Sequence, residues 1–171
     1  RLALQNLALF KSGKIEKNVV LKGPISIGSG SVISSGSYLE GPISVGDNCI
    51  IGPNTYVGNS VSIGNNTRIG AFSEIKDSII MSDSIIGSFN SIVGTVIGNG
   101  TELGTNVVAN PSSRNVTYLD HTISLSERGA MVGNRCVIGN RAVLAGGSIL
   151  LEGATIGEGE VYNADFQGDT I

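Results

Sequence analysis

The one side chain in this sequence that ordinarily titrates near neutrality falls in a stretch where a repeat pattern lapses. The single histidine, His121, lies in NPSSRNVTYLDHTISLSERGAM, residues 110–131, together with Asn110, Arg114, Tyr118 and Asp120. Histidine titrates near neutrality, so it is the natural general base for taking a proton from an attacking nucleophile. A lone histidine of this kind is more often solvated or packed, and Asp120 beside it is a sequence neighbour before it is an orienting partner. The two cysteines, Cys49 and Cys136, each follow a valine by four residues, Val45 and Val132. At that position the repeat described below turns its smaller residue inward. Buried free thiols are therefore expected, not a nucleophile or a disulfide, and they suit a reducing cytoplasm. One histidine and two isolated cysteines supply no zinc ligand set, which excludes a three-histidine carbonic anhydrase centre and leaves no metal expected.

The elements that would position these groups are set by a repeat. Aliphatic residues recur every six positions at Ile15, Leu21, Ile27, Ile33, Leu39, Val45, Ile51, Val57, Ile63, Ile69, Ile75 and Met81. A second register holds Val132, Ile138, Leu144, Leu150 and Ile156. This period fits neither an amphipathic helix nor an alternating strand. It predicts an all-β fold, a left-handed parallel β-helix of hexapeptide repeats in which three hexapeptides make one coil. Gly or Asn often follows each aliphatic residue, as at Gly28, Gly30, Asn48 and Asn54, where positive φ lets the chain turn a corner. A smaller residue comes four after it, as at Ser31, Ser37, Cys49, Thr55, Val61, Thr67 and Ser73. Large and small residues alternating inward would fill a narrow triangular core.

The interruptions organise the rest. The register slips by one residue between Met81 and Ile86 and again between Ile92 and Ile97, after which Leu103 and Ala109 follow. The expected division is a short capping helix or linker over 1–12, coils over 13–109, an extruded loop over 110–131, further coils over 132–162 and a tail over 163–171. The first segment, RLALQNLALFKS, has leucines along one side and does not begin with Met, which suggests a piece of a longer chain. A loop excursion of this length is a favoured place for a site.

Composition narrows the partners. The net charge of −3 is mild, and Lys and Arg are scattered without a basic stripe, so nucleic acid is not expected. No run approaches the roughly 18 apolar residues of a membrane span. The outward columns mix Tyr, Val, Ile, Arg and Glu, unlike the flat threonine array of an ice-binding surface. Positions eighteen apart should stack, Val32 under Ile50 and Tyr38 under Tyr56. Val137, Val143, Ile149 and Val161 should also point outward. Apolar columns of this kind mark interfaces, and three triangular prisms pack naturally as a homotrimer.

The stretch YLEGPISVGDNCIIGPNTYVGNSVSIGNNTRIGAFSEIKDSIIM, residues 38–81, resembles the C-terminal left-handed β-helix of sugar-1-phosphate nucleotidyltransferases. It is most similar to their archaeal branch, which is akin to the bifunctional glucosamine-1-phosphate acetyltransferase and N-acetylglucosamine-1-phosphate uridyltransferase. VVANPSSRNV and RGAMVGNRCVIGNRAVLAGGSILLEGATIG continue the likeness. The resemblance implies a trimer and, in a complete enzyme, an upstream nucleotidyl-transfer domain whose Gly-rich phosphate loop is absent from this chain. In bifunctional members the β-helix acetylates an amino-sugar phosphate from acetyl-CoA between subunits. Their catalytic histidine lies in H-L-[ST]-Y-[VI]-G-D, and the matching stretch here is Phe89-Asn90-Ser91-Ile92-Val93-Gly94-Thr95. Phenylalanine cannot accept a proton.

Asn110 matches the family asparagine near acetyl-CoA and sugar. Ala145-Gly146-Gly147 offers either a side-chain-poor surface for a pantetheine arm or a wide corner turn. Two readings follow. One is an oligomerising, regulatory β-helix domain of an enzyme making nucleotide sugars. The alternative is an acetyl-CoA-dependent N-acetyltransferase with His121 as base and Asn110, Ala145 and Gly146 binding the cofactor.

Overall fold

In the computed structural model, residues 12–118 and 121–163 are described. All but the last residue of the expected N-terminal segment and all but the first residue of the expected tail lie outside them. Short strands stack in parallel into three sheets of eight, eight and seven strands. Face one runs from Lys14–Ile15 to Thr155–Ile156, face two from Val20–Lys22 to Val161–Tyr162, and face three from Ile25–Ile27 to Ile149–Leu150. Each coil contributes one strand to each face, which makes a left-handed parallel β-helix.

Inward residues alternate as the repeat requires. Ile27, Ile33, Leu39, Ile51, Val57 and Ile75 are fully buried, and Ser31, Ser37, Cys49 and Thr67 occupy the smaller inward positions. Those small side chains also satisfy the backbone at the corners. Ser37 Oγ donates to the Gly52 carbonyl at 2.9 Å, and Thr55 Oγ1 donates to that of Gly70 at 3.1 Å. A buried polar group paired with the next coil ties the stack together without an unmet hydrogen bond. Both cysteines are buried and free. Burial pushes the Cys49 thiol above its ordinary value.

One register assignment differs from the sequence reading. Ile80 takes the inward position and Met81 points outward, so the first slip falls between Ile75 and Ile80, not after Met81. The chain turns that corner through Asp77 at a φ of 47°. Ser78 then fills the small inward place, donating to the Lys76 carbonyl at 2.6 Å. Polar Ser78 can close a short corner with that bond, whereas six-residue spacing alone favours the next aliphatic residue.

The excursion is not irregular. Ser112–Tyr118 and His121–Arg128 pair antiparallel, with Val116 opposite Ile123 and Tyr118 opposite His121. Alternating β-branched and polar residues in NVTY and HTISLS supply the strand signal. The solenoid continues across it, Val96 pairing directly with Met131.

Candidate functional site

The hairpin leaves the prism at the corner between faces two and three, and a groove of about 420 Å³ lies at its base. Gly94, Gly129 and Gly147 line one wall, Val96, Met131 and Ile149 the other, with Arg128 at the foot of the hairpin. Each glycine precedes its aliphatic partner by two residues, so three successive coils put the same pair at the same place. Close packing explains the glycines. A Cβ on Gly129 would collide with the Gly94 backbone, and Gly147 turns at a φ of 76° while donating its N–H to the Gly129 carbonyl at 3.0 Å. The resulting surface is apolar and poor in side chains, with one exposed guanidinium at its end. It can hold a slender apolar arm and pair with an anion. Among its described lining residues none can act as a general base.

Asn110, Ala145 and Gly146, singled out in the sequence, fall around this groove and are not among its described lining residues. Asn110 follows the strand Val108–Ala109 of face two just before the hairpin, and its Oδ1 accepts the Ser91 hydroxyl at 3.0 Å. Gly146 is buried where a Cβ would strike the Ser112 nitrogen and the Arg128 carbonyl oxygen, so it seats the hairpin. Ala145 donates its N–H to the Tyr162 carbonyl at 2.9 Å. Of that triplet the groove takes Gly147. His121 pairs with Tyr118 at the far end of the hairpin. Seven residue steps of strand separate it from Arg128, roughly 23 Å at ordinary rise. The missed lining residues had a signal, the spacing Gly94-x-Val96, Gly129-x-Met131 and Gly147-x-Ile149. The excursion between the first two hid it.

The stretch matching the family's catalytic motif is structural in its hydrogen bonding. Asn90 is buried, its Nδ2 donating to the Gly87 and Gly104 carbonyls at 3.0 Å each while its Oδ1 accepts the Val107 N–H at 2.6 Å. Thr95 Oγ1 donates to the Ala109 carbonyl at 3.1 Å and accepts the Ala130 N–H at 3.2 Å. Phe89 stands at the corner between faces one and two, stacked on Phe72 with ring centroids 5.1 Å apart and planes 7° from parallel.

A second aromatic pair lies on face two. Tyr38 and Tyr56 stack at 5.7 Å, and Lys76 Nζ sits 5.3 Å from the Tyr56 ring centre. Glu40 accepts from Lys22 at 2.7 Å and from the Tyr56 hydroxyl at 3.4 Å. The Lys22 ammonium holds the Glu40 carboxyl below its usual range, and Glu40 in turn raises Lys22. Desolvation and Glu40 push the Tyr56 phenol up. Lys22, Glu40 and the Tyr56 hydroxyl are engaged with one another, and Lys76 also pairs with Glu74. Among the described residues no group of three or more metal-ligating side chains occurs, and no helix is long and apolar enough to cross a membrane.

Coils of six-residue repeats, inward small residues bonded to the next coil and an extruded hairpin define the hexapeptide-repeat β-helix class. Solved structures with this fold include the following two. The acetyltransferase domain of PglB from Neisseria gonorrhoeae aligns with a TM-score of 0.53 at 16% identity, over 85% of this chain and 54% of that one. A UDP-N-acetylglucosamine acyltransferase aligns with a TM-score of 0.50 at 16% identity, over 88% of this chain and 66% of that one. The present chain thus spans about half the length of the first. No curated protein sequence matches. Within the class, the chain belongs to the GMPPB C-terminal domain family, a nucleotidyltransferase C-terminal β-helix, whose profile matches residues 39–127.

Proposed function

We propose that this chain is the C-terminal β-helix domain of a sugar-1-phosphate nucleotidyltransferase making nucleotide sugars, working in the cytoplasm. In this reading it assembles the enzyme as a homotrimer and regulates it, and does not itself carry out catalysis. The observation that carries the reading is Phe89. Where the bifunctional relatives place a basic histidine, this chain has a side chain without a titratable atom, and Asn90 and Thr95 beside it are consumed by bonds between coils.

The groove favours the second reading, an N-acetyltransferase. Its glycine wall suits a pantetheine arm of acetyl-CoA, and Arg128 suits a phosphate. His121 would then have to act as base from a neighbouring copy, because its own strand carries it away from its own groove.

A thiol-release assay with acetyl-CoA and glucosamine 1-phosphate or galactosamine 1-phosphate separates the two. No turnover from a folded oligomer is expected. Turnover abolished by His121→Ala would establish the acetyltransferase and overturn the assembly reading. Turnover surviving that change would keep the enzyme and remove His121 from it.

A further inference from the structure

Face one carries a single outward column. Above Lys14 it runs Val32, Ile50, Arg68, Ile85, Glu102, Val137 and Thr155, one residue per strand. Ile50, Ile85 and Val137 are 39%, 47% and 47% exposed, and Arg68 and Glu102 are exposed as well. Beside the column, the inward aliphatic residues are followed by Gly52, Gly70, Gly87, Gly104 and Gly139, where a Cβ would strike the backbone of the next coil. The column therefore stands on a flat face, bordered on that side by bare backbone.

Its two charges are unpaired within the chain. Lys22, Arg135 and Arg141 each meet an acid on the adjoining coil. Arg68 and Glu102 are held two strands apart by Ile85, roughly 10 Å at ordinary strand spacing. Neither forms a salt bridge with another described residue. Counted outward from Ile85 in both directions, the column matches itself. Arg68 corresponds to Glu102, Ile50 to Val137, and Val32 to Thr155, which has the same branched shape. Turned end over end about Ile85, the column becomes its own complement, and that is what an isologous two-fold contact requires.

We propose that face one binds face one of a second copy of this chain running in the opposite direction, about a two-fold axis that lies along the strands at the level of Ile85. Ile85 then meets Ile85 of the other copy, Arg68 meets Glu102 twice over, and Ile50 meets Val137 twice over. The order of charges selects this direction. Two copies running the same way would set Arg68 on Arg68 and Glu102 on Glu102, and like charges brought together across a contact repel. For the same reason face one is unsuited to the axis of a ring of parallel copies. The contact goes beyond the assembly role proposed above and does not need it, since it leaves faces two and three and the hairpin free. A strip one side chain wide along eight strands buries on the order of 1,000 Å² in total, the size of a transient contact. Pairing is therefore expected to depend on protein concentration and to weaken with salt.

The test is disulfide trapping of the full chain, with sedimentation velocity over a concentration series. Ile85→Cys alone is expected to give a two-chain product under oxidation. Chains carrying Arg68→Cys, mixed with chains carrying Glu102→Cys of a different tag length, are expected to join only as unlike pairs. In solution, Arg68→Glu should abolish the concentration-dependent doubling of mass, and Arg68→Glu with Glu102→Arg should restore it. These are exposed positions, so the rescued double variant also shows that folding is intact. Arg68→Cys chains that join one another would overturn the opposite direction and put parallel copies in its place. Wild type, Arg68→Glu and the double variant sedimenting alike, with no cross-link, would overturn the contact. A trimer found in that case leaves the assembly role standing, and a monomer removes both.

Discussion

The two aromatic pairs on this solenoid look alike in sequence spacing and differ in what surrounds them. Tyr38 and Tyr56 lie eighteen residues apart on a flat face, in ordinary strand conformation, clasped by Lys22, Glu40 and Lys76. Phe72 and Phe89 stand on a convex corner at positive φ, with no polar group to clasp and more than half their surface in water. The first pair is completed inside one chain and stabilises it. The second is incomplete there, each ring covered in part only by the other. Exposed aromatic residues thus divide by whether their neighbours already satisfy them.

The largest effect is expected where both pairs share a foundation. Ile75 is fully buried between the Phe72 turn and Lys76 of the ladder. Ile75→Ala opens a cavity in a core one residue wide, and a loss of about 2–5 kcal/mol in denaturant unfolding is expected. A loss below about 1 kcal/mol would mean that the coils collapse to fill the gap. Tyr56→Ala should lose about 1–2 kcal/mol, because stacking, a cation–π contact and packing over Gly58 go together. The same measurement on Phe89→Asn should show a smaller loss, because that ring is more than half exposed. Equal losses at the two sites would erase the distinction between them.

The smallest effect is a pH dependence confined to the tyrosine ladder. Glu40 is held below its usual range by Lys22, so its contribution is present above the ordinary carboxylate range and disappears as pH falls through the lowered value. Lys22 is raised, so its share is present below its ordinary value of 10.5 and is lost as pH rises through the higher one. The gap in thermal midpoint between wild type and Glu40→Gln should therefore close between about pH 5 and 3. A gap that stays constant through this window would show that the ladder is held by packing alone. The phenylalanine pair has no group to titrate and should give a flat profile.

Much of this molecule was legible beforehand because a period of six has one solution. Ile27, Ile33, Leu39 and the small residues four places on had to face inward, and the columns Val32–Ile50 and Tyr38–Tyr56 followed from the coil length. The turn at Asp77 was not legible, since a five-residue and a six-residue step both present an aliphatic residue, Ile80 or Met81, to the core. Nor was the groove. Its glycine pairs are separated in sequence by the hairpin, and only stacking returns Gly94 to Gly129 and Val96 to Met131.

Local repeat chemistry, acting between residues a few positions apart, determined the class of fold and the place of its interruption. Tertiary structure decided which groups share a surface. That depends on coil registration across thirty-five positions, where a single residue of slip exchanges inward for outward. It put Gly146 under the hairpin and Gly147 in the groove, and it put Phe89 and Val96 at two corners of one coil.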